Sequence, residues 1–173
     1  SVFWSGDCTP QLTVDGAALQ PSRSWEEICW HSDEDVDYVE WELPLGSGWK
    51  VQRKFVLARQ DQFLLIADAV CGPSAGDIEY RCDWPLADTI QFIEADETTE
   101  CTLVAGKRRL NVLPLALPEW RREARRVGIV ATSKNGLSHQ LQRSGKRLYA
   151  PLFVDLHPAR VKRDLTWRIL TVG

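Results

Sequence analysis

Polar and apolar residues alternate with a period of two along most of this chain. Val39, Trp41, Leu43 and Leu45 alternate with Glu40, Glu42 and Pro44. Ile78, Tyr80, Cys82, Trp84 and Leu86 alternate with Glu79, Arg81, Asp83 and Pro85. The same pattern runs from Leu148 to Leu156, and again through Leu165, Trp167 and Ile169. Successive side chains of a strand point to opposite faces, so each run is expected to be a strand with one face on a core. Turn-forming clusters separate the runs: DGAA, GSG, CGPSAG, KNG and RSGK. KNG at Lys134–Gly136 lies between VGIVATS and LSHQLQ and reads as a hairpin turn. About ten to twelve short strands at this spacing predict an all-β fold, an antiparallel β-sandwich. Helix signals converge only on ALPEWRREARRVG, Ala116–Gly128, with Pro118 near its start and a glycine at its end. Those residues also read as a charged loop, so the expectation is at most one short helix.

The two most strand-like segments carry charges inside them. Arg53 shares a face with Trp49, Val51, Phe55 and Leu57, and Asp68 shares one with Leu64, Ile66 and Val70. A lone guanidinium on a buried face is costly and needs a carboxylate or a set of carbonyls. A hairpin centred near Gln60 sets Arg53 directly opposite Asp68. We therefore expect a structural cross-strand pair, the other reading being that these residues belong to a site.

This hairpin also carries a family resemblance. GWKVQRKFVL, a short polar turn, and then DQFLLIADAV resemble a hairpin in the C-terminal β-sandwich of heparinase II/III-like proteins, polysaccharide lyases and their relatives. In that family an arginine-bearing strand turns into a strand ending in an aspartate, here Arg53 and Asp68. GKRRLNVLPLAL and GKRLYAPLFVDLHP suit the closing strands of such a sheet. The resemblance implies a sandwich that lies against an α/α toroid holding most of the catalytic groups. No helical toroid is legible in this chain. The three histidines, His31, His139 and His157, share no spacing that would assemble a lyase site. The resemblance thus implies an accessory, non-catalytic module of a carbohydrate-active protein, with a catalytic domain of the same polypeptide as partner. It also implies a secreted or periplasmic setting, which the residues themselves do not assign.

Composition narrows the picture. The chain has 173 residues, 44% of them hydrophobic, enough for one core and hence one domain over 1–173. No apolar run approaches the roughly 20 residues of a membrane helix, and no signal peptide opens the chain. It begins at Ser1 and contains no methionine, so we expect a piece of a longer polypeptide. The five cysteines, Cys8, Cys29, Cys71, Cys82 and Cys101, include no CxxC spacing. This argues against zinc and against a full disulfide framework; buried thiols are expected, with one bridge left open. No metal or cofactor is expected.

The net charge of −3 hides an asymmetry. Residues 1–100 hold 20 Asp/Glu and 6 Lys/Arg, a net of −14, whereas residues 101–173 hold 4 and 15, a net of +11. The halves either attract each other in the fold or leave a basic face for an anionic ligand. Eight tryptophans are many for this length. Trp25, Trp41, Trp49, Trp84 and Trp167 sit at strand-periodic positions and are expected in the core. Trp4, Trp30 and Trp120 fall outside the alternation and are expected to be more exposed. Trp120 opens EWRREARR, where Arg121, Arg122 and Arg125 can hold carboxylates or sulfates while the indole stacks on a sugar ring. These four are the candidate contacts to an acidic polysaccharide. Nucleic acid is disfavoured by the acidic half and a sequence pI near 5.6.

Acidic residues surround His31 in ICWHSDEDVD and recur in EADETTE, Glu94–Glu100. Neither has the glycine and terminal glutamate of a calcium loop, so both read as solvated turns. Asp155 and His157 share a strand face and read as a surface pair. No GxSxG, HExxH, phosphate-binding or dinucleotide motif occurs. Two other functions remain: an autonomous jelly-roll or mutarotase-like enzyme, built on His139 or His157 with a carboxylate, and a structural or protein-interaction domain without ligand.

Overall fold

The period-two runs become eleven strands in a computed structural model of the protein, which describes residues 8–123, 127–134, 136–161, 163 and 165–169. In chain order they are β1 (Gln11–Val14), β2 (Ala17–Leu19), β3 (Glu26–Ser32), β4 (Val36–Pro44), β5 (Lys50–Ala58) and β6 (Phe63–Pro85), followed by β7 (Gln91–Glu94), β8 (Cys101–Ala105), β9 (Arg108–Pro114), β10 (Gly128–Ser133) and β11 (Gly136–Asp155). Among the described residues the one helical element is a 3-10 turn at Gly46–Gly48. All strand pairs are antiparallel, in the order β3-β4-β5-β6-β11-β9-β8-β7, with β1 on β6, β2 on β1 and β10 on β11.

The two longest strands make this sheet a sandwich. β6 and β11 pair from Gly136↔Pro85 to Asp155↔Phe63, with a register shift between Gly145 and Arg147. Midway, CGPSAG of β6 lies beside RSGK of β11, and Gly145 pairs with Gly76. These segments do not reverse the chain; they bend the paired strands. Tyr80 Oη lies 2.7 Å from Asp68 Oδ2. Twelve residues of straight strand would separate those positions by roughly 40 Å, so the far half of β6 folds back over the near half. One layer therefore holds β3, β4, β5, the near half of β6, the far half of β11, β9, β8 and β7. The second holds β2, β1, the far half of β6, the near half of β11 and β10.

Between the layers lies one core. Leu43, Val51, Ile66 and Val70 come from the first layer, and Ile78, Tyr80, Cys82, Leu137 and Leu141 from the second; all are buried. Gly72 sits at the bend because a Cβ there would overlap the Trp49 ring. KNG does close the β10–β11 hairpin, with Ser133 opposite Gly136.

Several sequence expectations are corrected. Leu165–Ile169 forms no strand: the run is irregular, and Trp167 Nε1 donates to the Leu117 carbonyl at 2.8 Å. Of the two readings of Ala116–Gly128, helix or charged loop, the described part takes the loop. Trp120 instead bridges Thr98, the Thr99 amide donates to Glu119 O, and the Arg121 amide to Glu97 O. Tertiary bonding at these positions replaces the i to i−4 pattern a helix requires, and Gly128 already opens β10. Trp49 and Trp84 are in the core, but Trp41 is 36% exposed and packs edge-on against Phe55 at 5.5 Å. No disulfide joins any of the five cysteines. Only Cys82 and Cys101 are buried, whereas Cys29 is exposed on edge strand β3.

Candidate functional site

The two charges in the β5–β6 hairpin meet. Arg53 and Asp68 are register partners. Arg53 Nε donates to Asp68 Oδ1 at 2.7 Å and Nη2 to Oδ2 at 2.6 Å, a two-pronged pair with both side chains buried. Nη1 donates to the Cys8 carbonyl at 2.6 Å and lies 3.1 Å from its thiol. The guanidinium carbon stands 4.6 Å from the Trp84 ring centre and 5.0 Å from that of Trp25, so the cation is held between two indole faces. From the second layer, Tyr80 Oη donates to Asp68 Oδ2. Burial by itself would lower the Arg53 pKa, but the hydrogen bonds and charge of Asp68 outweigh it and hold it above the ordinary value. Burial, with Asp68 adding to it, pushes the Tyr80 hydroxyl well above its usual range. The Cys82 thiol is raised by its hydrogen bond with Cys8 and by burial. Arg53 is thus held charged, and the Tyr80 hydroxyl and the Cys82 thiol neutral. The arrangement ties the two layers together.

His139 completes the cluster. It is wholly buried on β11, edge-on to Tyr80 at 5.9 Å. Neither ring nitrogen has a hydrogen-bond partner among the described residues. Burial lowers its pKa to about 4, so the ring is neutral at pH 7. The sequence reading singled out Arg53, Asp68 and His139 but did not connect Tyr80 or Cys82 to them. Their placement on the inward face of one alternating run was the available signal.

The aromatic–arginine segment is only partly free. Trp120 is 53% exposed and Arg122 is exposed. Arg121 points back into the fold: its Nε donates to Ala95 O at 2.9 Å, and its Nη2 stands 3.3 Å from Glu94 Oε2, an ion-pair distance without hydrogen-bond geometry. Arg121 therefore fastens the Glu94–Glu100 loop and does not face solvent as a ligand contact would. Arg125 lies outside the described residues, as does Trp4. Of the candidate polysaccharide contacts among the described residues, Trp120 and Arg122 are the exposed ones. Trp30, 70% exposed on β3, stands elsewhere.

The remaining candidates have structural partners. His31 Nε2 and Asp33 Oδ2 are 2.9 Å apart, and Asp33 Oδ1 also accepts the Asp35 and Val36 amides, which shapes the β3–β4 turn. Its hydrogen bond with His31, then those amides, hold the Asp33 carboxyl down to about 2. Asp155 is not a surface residue as expected. It is fully buried, and Arg160 grips both of its oxygens at 2.8–3.1 Å. The His157 amide donates to Asp155, while His157 Nδ1 accepts the Ala159 amide. Asp155 and His157 are thus committed to loop geometry and form no acid–base pair. Among the described residues, no group of three or more His, Cys, Asp or Glu could hold a metal.

The acidic and basic halves scarcely neutralise one another by ion pairing. Among the described residues, Arg121–Glu94 is the one ion pair that crosses between them; the others lie within one half.

The antiparallel sandwich is similar in fold to part of solved structures described as a heparan sulfate lyase and as heparinase III. The heparan sulfate lyase HepC from Pedobacter heparinus superposes with a TM-score of 0.54 at 14% identity, over 83% of this chain and 23% of that one. A mutant of that lyase gives 0.55 at 13% identity over the same shares. Heparinase III gives 0.54 at 9% identity, over 87% of this chain and 24% of that one. The chain spans about a quarter of the length of these structures, and at such identities the likeness is one of fold. No protein-family description and no curated protein match the chain by sequence.

Proposed function

We propose that this chain is an accessory, non-catalytic β-sandwich module of a carbohydrate-active protein, which packs on a catalytic domain and contacts acidic polysaccharide through Trp120 and Arg122. The supporting observation is the shared sandwich, which covers 83–87% of this chain but only 23–24% of structures described as a heparan sulfate lyase and heparinase III. The non-catalytic part of the reading is supported by the histidines: His139 has no route to solvent, and His157 is tied to its own loop. An indole face beside a guanidinium suits a sugar ring that carries a carboxylate or sulfate.

The test is calorimetric titration of the purified chain with heparan sulfate oligosaccharides, alongside Trp120→Ala and Arg122→Ala. One lost charge-assisted hydrogen bond is worth ~1.5–3 kcal/mol, so Arg122→Ala should bind at least about tenfold more weakly, and Trp120→Ala, which loses the stacking face, should also bind more weakly. Wild-type affinity in both variants removes this segment as the contact. No binding by the wild-type chain removes the polysaccharide reading.

A further inference from the structure

The turn that joins β8 to β9 presents three consecutive cations, Lys107, Arg108 and Arg109. Gly106, at φ +59°, makes the tight turn that projects them. All three are exposed, and none has a carboxylate partner among the described residues. By contrast, Arg53, Arg59, Arg81, Arg121 and Arg160 each hold an Asp or Glu. The three cations border a groove of about 720 Å³, whose floor is aliphatic, with Leu156, Pro158 and Val161 from the loop after β11. Among the described residues, no acidic side chain lines it. The volume falls within the roughly 300–1,000 Å³ of small-ligand sites.

We propose that this groove is an anion-binding subsite, distinct from the Trp120 segment, for a glycan chain bearing sulfate or carboxylate groups. Three adjacent positive charges repel one another, and a ligand with two or more anionic groups would relieve that repulsion while the arginine forks bind bidentately. Among the described residues the lining has no aromatic ring on which a nucleobase could stack, which argues against single-stranded nucleic acid. Only the glycan nature of the ligand rests on the function proposed above; the anion site itself rests on the three unengaged cations.

Sucrose octasulfate serves as sulfated probe, a hyaluronan hexasaccharide as carboxylate-only probe and oligo(dT) as nucleic-acid probe. Each is titrated at several salt concentrations into wild type, Lys107→Ala/Arg108→Ala/Arg109→Ala and Arg122→Ala, with folding checked by circular dichroism. We expect the triple variant to bind sucrose octasulfate at least 30-fold more weakly. The slope of log K against log salt should also become shallower by about 2–3, one per lost contact. Binding of the hyaluronan probe with the same loss supports the subsite and shows that it accepts carboxylates. Triple-variant binding within threefold of wild type overturns the subsite; if Arg122→Ala alone weakens it, the proposed function survives while this inference fails. Oligo(dT) binding as tightly as the sulfated probe, with the same loss, overturns the glycan assignment. No binding of either glycan probe to wild type removes both proposals.

Discussion

Arg53→Met tests whether the buried pair holds the two layers together. Methionine keeps much of the apolar stem, so the cavity left is small and the effect is mainly electrostatic. The change removes both guanidinium bonds to Asp68 and the bond to the Cys8 carbonyl. Asp68, 1% exposed, is then left with the Tyr80 hydroxyl as its one remaining side-chain donor. Removing one partner of a buried ion pair typically costs ~3–5 kcal/mol. With a urea dependence of about 2 kcal/mol per molar, the unfolding midpoint should fall by about 2 M.

Arg53→Met/Asp68→Leu/Tyr80→Phe removes the pair and the hydroxyl together and leaves no polar group of the triad unsatisfied. Replacing a whole buried ion pair with apolar side chains is often neutral or stabilising, so the triple variant should lie within about 1 kcal/mol of wild type. The assay is urea unfolding followed by tryptophan fluorescence and far-UV circular dichroism, with the slope compared across variants. An Arg53→Met effect within ~0.5 kcal/mol, the range of ordinary surface substitutions, would refute burial of the pair. A triple variant as unstable as the single one would show that the pair contributes net stability beyond the mere avoidance of an unpaired charge.

His139 predicts a pH limb. Its folded pKa of about 4 lies below the ordinary 6.5, so the neutral ring's contribution is fully present above pH 6.5 and is lost as pH falls to 4. The size is about 3 kcal/mol. His139→Leu should flatten that part of the stability curve, and parallel curves for variant and wild type would show that His139 is not buried neutral. Gly72→Ala places a methyl against the Trp49 ring; overpacking of this kind costs ~1–3 kcal/mol, and an unchanged urea midpoint would show that the ring can move aside freely.

Local rules made the strands legible, and tertiary partners made the rest hard to read. Period two located β4, β6, β11 and the Arg53–Asp68 register, because each depends only on neighbours in sequence and one short turn. CGPSAG and RSGK carry ordinary turn chemistry, and sequence alone reads them as chain reversals. They bend continuous strands instead because they face each other across one ladder, a fact set by a pairing more than 60 residues apart. The described part of the 116–128 segment is a loop rather than a helix for the same kind of reason. Thr98, Thr99 and Glu97 supply backbone partners that no window around Trp120 contains. Arg121 was read as a ligand contact from its neighbours in sequence, yet Glu94, on a different strand, engages it.

The charge asymmetry gains its meaning from strand order. The acidic β3–β4 ribbon stands at one end of the long layer, while β9, with Arg108 and Arg109, stands beyond β11 on the far side of β5 and β6. Charges of the β3–β4 ribbon and of β9 stand too far apart in this sheet to form contact pairs. Arginines within reach of a carboxylate have become structural, as at Arg53, Arg121 and Arg160. Lys107, Arg108 and Arg109, which have no carboxylate partner among the described residues, are held away from the acidic ribbon. On this fold, a residue's availability for an anionic ligand follows from which carboxylates its strand can reach. That criterion moves weight from Arg121 to Arg122 and to the Lys107–Arg109 turn.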